Sequence, residues 1–138
     1  MQHILELYLG GTAITKLLTS IVHLTDLVLL NVRDCKSLMC LPSIIFNLKL
    51  LKDVNISRCS KLKRLPENVG NIESVEELNV SGTTIREVPS SIDLLKNLKV
   101  LSFSGCKGYR HLTLHLGMIS SLFLQGQKLQ IPWVCPLY

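Results

Sequence analysis

Five cysteines and four histidines are the residues of this sequence best suited to metal binding or nucleophilic chemistry. Cys106, His111 and His115 have the spacing C-x4-H-x3-H, which resembles part of a zinc site, with Cys135 as a distant further ligand. Structural zinc sites have four well-defined ligands, and no second cysteine pair accompanies this group. No third residue is placed to orient a cysteine–histidine pair for nucleophilic catalysis. We therefore expect no metal site and no catalytic residue in this chain.

Two stretches rich in glycine and threonine, Gly10–Thr12 and Ser81–Thr84, superficially suggest phosphate-binding loops. Neither has the spacing or the lysine of a P-loop. They belong to two longer segments with closely similar sequences, LYLGGTAITKLLTSI at 7–21 and LNVSGTTIREVPSSI at 78–92. Self-similarity of this kind indicates a repeat architecture, in which the glycines would serve a tight bend.

A single template recurs along most of the chain, in units that start near residues 4, 27, 51, 75 and 98. Each unit has apolar residues at its start and three and five positions later, followed by Cys or Thr and then further apolar residues. A Leu-Pro or Val-Pro pair opens the second half of units two, three and four, whereas the first unit has Leu18 there. This template is that of a leucine-rich repeat.

The alternating L-x-L core of each unit predicts a short strand with one buried and one exposed face. Because no unit can bury its apolar face alone, stacking them produces a parallel sheet and a continuous core. We therefore expect an α/β leucine-rich-repeat solenoid, a curved parallel sheet with an irregular or short-helical convex side. Strands are predicted near 5–9, 28–32, 52–56, 76–80 and 99–103, and short return segments at 42–48, 66–72 and 89–95.

Small polar side chains occupy the turn after each predicted strand. We expect them to satisfy inward-pointing backbone N–H groups, because an unpaired buried group would cost about 1–3 kcal/mol. Two of them, Cys35 and Cys59, are one repeat apart, so we expect buried, reduced thiols beside each other, as in a cytosolic protein. The residues at this position are Thr12, Cys35, Cys59, Thr83 and Cys106.

Composition and charge agree with a solenoid, with 47% hydrophobic and 5% aromatic residues and a formal net charge of +5. Basic residues dominate 49–64 and acidic residues dominate 73–93, so a basic band should adjoin an acidic band along the solenoid. Aromatic residues are not interleaved with these charges, which argues against nucleic-acid binding. The sequence contains no run of 18 apolar residues, so we predict no membrane span. The first residues do not resemble a signal peptide. We expect repeats over 1–108, a degenerate repeat or tail over 109–138, and a longer parent protein.

The details of the repeat carry a family resemblance. LLNVRDCKSLMCLPSIIFNLKLL and LKDVNISRCSKLKRLPENVGNIESVEELNVSGTTIREVPSSI combine C-x-x-L-x-x-LP units with an SGT-x-I-x-E-VPSSI unit. Together with LKNLKVLSFSGCKG, these segments closely resemble the leucine-rich repeats of plant intracellular disease-resistance receptors. They look most like the class with a Toll/interleukin-receptor-type domain and a nucleotide-binding domain before the repeats. The resemblance covers residues 4–108.

The resemblance implies a recognition module rather than an enzyme. Its expected partner is a pathogen effector, a modified host protein or the receptor's own nucleotide-binding domain, which the repeats would restrain. No cofactor is expected in this chain, because ADP/ATP exchange belongs to that neighbouring domain. The implied location is the cytoplasm or the nucleus, and a general intracellular signalling scaffold of the Ras-group type is the alternative.

Outward strand positions on the concave face should form the partner-binding surface, because neighbouring side chains align there from unit to unit. One row, from Tyr8 through three asparagines to Ser102, should run straight across the sheet. The asparagines could instead hydrogen-bond along the ladder. The predicted partner-binding residues are Tyr8, Asn31, Arg33, Asp53, Asn55, Arg58, Glu77 and Asn79.

Overall fold

The computed structural model describes residues 4–71, 73–85 and 97–102, together with the backbone of 128–130. Six three-residue strands in these ranges form one parallel sheet, arranged in the order in which they occur along the chain. Each strand therefore pairs with the strand of the next repeat. The strands are β1 (Glu6–Tyr8), β2 (Leu29–Asn31), β3 (Asp53–Asn55), β4 (Glu77–Asn79), β5 (Val100–Ser102) and β6 (Lys128–Gln130).

The first five strands confirm the predicted positions, each being one residue shorter at both ends than the sequence pattern suggested. Their middle residues point into the core. Leu30, Val54, Leu78 and Leu101 are all at most 1% exposed. Parallel pairing sets these side chains directly beside one another, so one continuous apolar layer holds the repeats together.

The second half of each repeat returns through a short 3-10 helix. These helices span Thr19–His23, Ser43–Asn47 and Val69–Asn71, which confirms the helical turns expected at 42–48 and 66–72. Pro42 precedes the second helix, where its missing N–H disrupts no hydrogen bond. Ile45 and Phe46 of that helix are buried, so the return segments close the core opposite the sheet. The return segment expected at 89–95 lies outside the described residues.

The Cys or Thr position organises the turn after the strand, through bonds to carbonyl groups as well as to an N–H group. The Cys35 thiol donates to the Leu9 carbonyl at 3.1 Å, and the Cys59 thiol to the Val32 carbonyl, also at 3.1 Å. The Thr83 hydroxyl donates to the Val80 carbonyl at 2.8 Å. Thr83 Oγ1 also accepts the Ile85 N–H at 3.4 Å, so the expected pairing with a turn N–H is confirmed at Thr83, whereas the Cys35 and Cys59 thiols donate to carbonyl groups. The carbonyl groups follow the last strand residue, where the ladder ends, and the thiol or hydroxyl supplies their donor.

Two cysteines of this position, Cys35 and Cys59, are free and fully buried, as predicted. They are neighbours, since the Cys35 N–H and the Cys59 thiol both donate to the Val32 carbonyl, at 3.2 and 3.1 Å. Burial raises the pKa of Cys59 to about 11. Cys106 lies outside the described residues.

A left-handed backbone conformation recurs just before this turn position. Gly11 and Gly82 have φ angles of 73° and 69°, and Asp34 and Arg58 have φ angles of 62° and 61°. The four residues occupy the same place in successive repeats. Glycine adopts this conformation without strain, as predicted for the bend, whereas Asp34 and Arg58 adopt it at a cost.

The last described strand, β6, pairs in parallel with β5 and extends the sheet to Lys128–Gln130. The division of the chain at residue 108 into regular repeats and a degenerate repeat or tail stays a prediction.

Candidate partner-binding face of the sheet

Two rows of outward-pointing side chains cross the sheet from repeat to repeat. We call them together the exposed sheet face. The register confirms that the third strand positions lie in one row and places the first strand positions in a second row. The first row is Tyr8, Asn31, Asn55, Asn79 and Ser102, and the second is Glu6, Leu29, Asp53, Glu77 and Val100.

The asparagines of this face bond within their own repeats. The Oδ1 atoms of Asn31, Asn55 and Asn79 accept the backbone N–H two residues ahead, at 2.9, 3.0 and 3.0 Å. Each asparagine thereby fixes the chain where its strand ends, in the manner of an Asx turn. The Oδ1 atoms therefore bond locally and not along the ladder. The role of the three asparagines in partner binding stays a prediction.

Ser57 lies two residues after the outward-facing Asn55, yet its side chain is buried. It is 5% exposed, and its hydroxyl donates to Asn55 Oδ1 at 2.6 Å. The serine is thus part of the strand-end hydrogen bonding and is not a surface contact.

Two carboxyl groups face each other in adjacent strands of the exposed sheet face. Asp53 and Glu77 are direct partners in the β3–β4 register. Burial, the charge of Glu77 and a hydrogen bond with Glu77 raise the pKa of Asp53 to about 6. The pair therefore holds negative charge at an electrostatic cost.

Two arginines at the carboxyl ends of the strands share one acid. Arg58 Nε lies 3.0 Å from Asp34 Oδ1, and Arg33 Nε lies 3.5 Å from Asp34 Oδ2. The shorter contact joins neighbouring repeats, and both guanidinium groups remain more than half exposed. This group offers one net positive charge beside the asparagine row.

Tyr8 is the large aromatic residue of the face. It is 60% exposed, and its hydroxyl donates to Glu6 Oε1 at 3.3 Å. An exposed ring held by its hydroxyl can contribute apolar area to an interface with little loss of conformational freedom.

Two members of the predicted charge bands, Lys52 and Glu76, form a ladder with Lys99 just before the strands, which the sequence pattern alone did not predict. Glu76 Oε1 lies 2.8 Å from Lys99 Nζ, and Glu76 Oε2 lies 3.9 Å from Lys52 Nζ. The hydrogen bond and charge of Lys99 lower the pKa of Glu76. The repeat register was the signal that could have found this ladder, because the three residues hold equivalent positions.

These ion pairs reduce the free positive charge of the basic band predicted at 49–64. Lys52 and Arg58 belong to the basic stretch 49–64, yet each is paired with an acid of a neighbouring repeat. Neighbouring repeats thus neutralise part of the predicted basic band, and residues 86–93 of the predicted acidic band lie outside the described residues.

A solved leucine-rich-repeat protein of Leptospira interrogans shares this architecture, with a TM-score of 0.58 and 24% sequence identity. The similarity covers 71% of this chain and 30% of that protein, and it establishes the fold. Among curated proteins, the Arabidopsis thaliana disease resistance protein RPP2B is 54% identical over 102 residues, which are 74% of this chain. This chain is a leucine-rich-repeat region homologous to part of a plant disease resistance protein.

This repeat region spans 8% of the length of RPP2B. No family model matches the chain. The activity and partners of the whole protein are accordingly treated below as proposals.

Within 4–71, 73–85 and 97–102, no three His, Cys, Asp or Glu side chains are grouped to hold a metal ion. Cys106, His111, His115 and Cys135 lie outside the described residues. Among the residues that the structure does describe, no helix is long and apolar enough to cross a membrane.

Proposed function

We propose that this repeat region is the protein-recognition part of a plant immune receptor. It senses a pathogen effector or an effector-modified host protein, and it restrains a nucleotide-binding domain until then. The observation that carries this proposal is the 54% identity to RPP2B over 102 residues. The exposed sheet face supports it, because the face aligns polar, charged and aromatic side chains on a backbone held by parallel pairing.

The proposed contacts combine an aromatic anchor with charges of both signs. Tyr8 supplies apolar area, and aromatic and arginine side chains commonly anchor protein interfaces. The proposed contact residues are Tyr8, Arg33, Asp53, Arg58 and Glu77. Asn31, Asn55 and Asn79 share the surface and also fix the strand ends through their Oδ1 atoms.

In this proposal the repeat region works by binding and not by catalysis. It needs no cofactor of its own, and ADP or ATP acts in the neighbouring nucleotide-binding domain. Recognition takes place in the cytoplasm or the nucleus, between proteins, without nucleic acid. A Toll/interleukin-receptor-type domain at the other end of the receptor would deliver the signal.

The test replaces the five contact residues together with alanine in the full-length receptor and measures the immune response to its pathogen. We expect recognition to be lost, or the receptor to become active without a pathogen, at unchanged protein abundance. A matched control replaces five exposed residues away from the sheet face, namely His23, Asn47, Lys49, Asn71 and Glu73. If recognition and restraint both survive the five contact changes, the sheet face is not the contact surface.

A further inference from the structure

A strip of unpaired basic side chains follows the carboxyl ends of the strands. In the first three repeats the chain crosses this edge through 13–18, 36–41 and 60–65, and these segments contain no acidic and no aromatic residue. None of the strip's basic side chains forms an ion pair with a residue that the structure describes. We call this strip the basic margin; its exposed cations are Lys16, Lys36, Lys61, Lys63 and Arg64.

Backbone hydrogen bonds join successive repeats along this edge. The Met39 N–H donates to the Thr15 carbonyl at 3.0 Å, which joins the first segment to the second. The Asp34 N–H donates to the Ser57 carbonyl at 3.0 Å, which joins the second repeat to the third where the margin begins. Since parallel neighbours are about 4.8 Å apart, cations from different repeats form one surface.

An apolar side chain lies within this charged strip. Met39 is 62% exposed, and Lys63 occupies the equivalent position in the next repeat. Leu18, at the start of the first return segment, is 70% exposed. Methionine is enriched at protein interfaces because its flexible side chain adapts to a partner. The margin thus offers an apolar contact surrounded by positive charge.

The opposite edge of the sheet has the reverse polarity. Residues just before and at the starts of the strands include more acids than bases. A charged partner is therefore attracted by one edge and repelled by the other, which would fix its orientation. The acids are Glu6, Asp26, Asp53, Glu73, Glu76 and Glu77, and the bases are Lys49, Lys52 and Lys99.

We propose that the basic margin docks an acidic protein segment that inserts an apolar side chain beside Met39. The cations match the carboxylates of such a segment, and Met39 gives its apolar residue a contact. Single-stranded nucleic acid would instead use aromatic side chains for base stacking, and the three segments contain none. This surface lies beside the exposed sheet face and is additional to the contacts of the proposed function.

The first test measures binding of the 138-residue chain to a fluorescent twelve-residue peptide of glutamate and aspartate with two leucines. Lys63→Glu should weaken binding roughly tenfold, because it reverses a charge at the centre of the margin. Lys49→Glu makes the same change in net charge before the strands and should leave binding nearly unchanged. Equal weakening by both variants would overturn the proposal, since it would show attraction by total charge alone.

The apolar contact is tested separately. Met39→Ser should weaken peptide binding about threefold, whereas Leu50→Ser, at a residue 49% exposed outside the margin, should have little effect. When both leucines of the peptide are replaced with serine, the unaltered chain and the Met39→Ser variant should bind it with equal affinity. Unchanged binding of the leucine-free peptide, or tighter Lys63-dependent binding of a dT12 oligonucleotide, would contradict the proposal.

The exposed Cys40 beside Met39 provides a second readout. Alkylation with N-ethylmaleimide should weaken peptide binding by the unaltered chain and should not weaken binding by the Cys40→Ser variant. The comparison separates the effect of the Cys40 thiol from that of the other cysteines. Equal sensitivity of both proteins would count against docking at the margin. Because these measurements do not depend on an immune response, they can fail while the proposed recognition function stands, and the reverse also holds.

Discussion

Asp53 and Glu77 lie directly opposite each other in adjacent parallel strands, and burial together with the charge of Glu77 raises the pKa of Asp53. Neither forms an ion pair with a residue that the structure describes. Like charges in directly opposed positions destabilise a sheet. By contrast, Glu76, one residue before Glu77, has lysines from both neighbouring repeats within 4 Å. The repeats thus neutralise one acid and leave an adjacent pair charged on the exposed sheet face.

The raised pKa of Asp53 predicts a specific dependence of stability on pH. The folded chain holds the Asp53 proton up to a pH of about 6, whereas the unfolded chain releases it near pH 4. The stabilising contribution is therefore present below pH 4 and is lost as the pH rises through 6. Asp53→Asn should raise the free energy of unfolding at pH 7.5 by on the order of 1 kcal/mol, after allowing for solvent screening. Urea unfolding at pH 4.5 and 7.5 measures this.

Glu76→Gln is the matched control for that prediction. The pKa of Glu76 is lowered by Lys99, so its contribution is present at neutral pH and lost on acidification. The two variants should change stability at pH 7.5 in opposite directions. If Asp53→Asn destabilises the chain at pH 7.5, the carboxyl pair is not under electrostatic strain.

Cysteine reactivity should differ sharply between positions. Cys40 is exposed, whereas Cys35 and Cys59 are buried and burial raises the pKa of Cys59 to about 11. Because the thiolate is the reactive form, iodoacetamide at pH 7.5 should modify Cys40 first and reach Cys59 through unfolding. Peptide mass spectrometry at successive times measures the order. A Cys35–Cys59 disulfide, or native labelling of Cys59 as fast as Cys40, would contradict this.

The repeat period made most of this fold predictable. Leu30, Val54 and Leu78 recur at equal offsets, and their alternation with Asn31, Asn55 and Asn79 identifies which strand face is buried. Successive units can bury their apolar positions only by stacking in register, so the order and the parallel direction of the strands were predictable as well.

Details that depend on contacts between units were less accessible from the sequence. Cys59 and Thr83 occupy the same repeat position, yet the thiol donates to the preceding repeat and the hydroxyl to its own. Sequence spacing does not tell which carbonyl oxygen is within reach. Likewise, no glycine in the sequence marks the position of Asp34 as one with a left-handed backbone. The contact between Asp34 and Arg58 depends on how the turns of two neighbouring repeats lie against each other.

Asn55 should contribute more to stability than Asn31, although both end a strand in the same way. Asn55 Oδ1 accepts both the N–H and the hydroxyl of buried Ser57, whereas Asn31 Oδ1 accepts the N–H of exposed Arg33. Asn55→Ala should therefore cost about 2 kcal/mol, because it leaves buried polar groups unpaired. Asn31→Ala should cost less than about 1 kcal/mol, since water can replace the lost partner. Urea unfolding of both variants tests the order, and equal losses would show that burial of Ser57 is unimportant.

Gly11 and Gly82 allow backbone strain to be separated from crowding at one repeat position. Both have positive φ, but a Cβ added at Gly11 would have no atom within 4 Å. At Gly82 it would lie 3.2 Å from Arg58 Cγ and 3.3 Å from Arg58 Cα.

Alanine in the left-handed conformation costs roughly 1 kcal/mol, so Gly11→Ala should reduce the free energy of unfolding by about that amount. Gly82→Ala should cost about 2 kcal/mol, because the backbone of Arg58 cannot move away as freely as a side-chain tip. Thermal and urea unfolding of the two variants provide the comparison. Adding Arg58→Ala to Gly82→Ala removes the Cγ contact without placing glycine at position 58 and, measured against Arg58→Ala alone, should restore part of the difference between the two alanine variants. A Gly82→Ala chain no less stable than Gly11→Ala would show that this turn accommodates the extra methyl group by shifting, and that contact between successive turns does not limit the residue at this position.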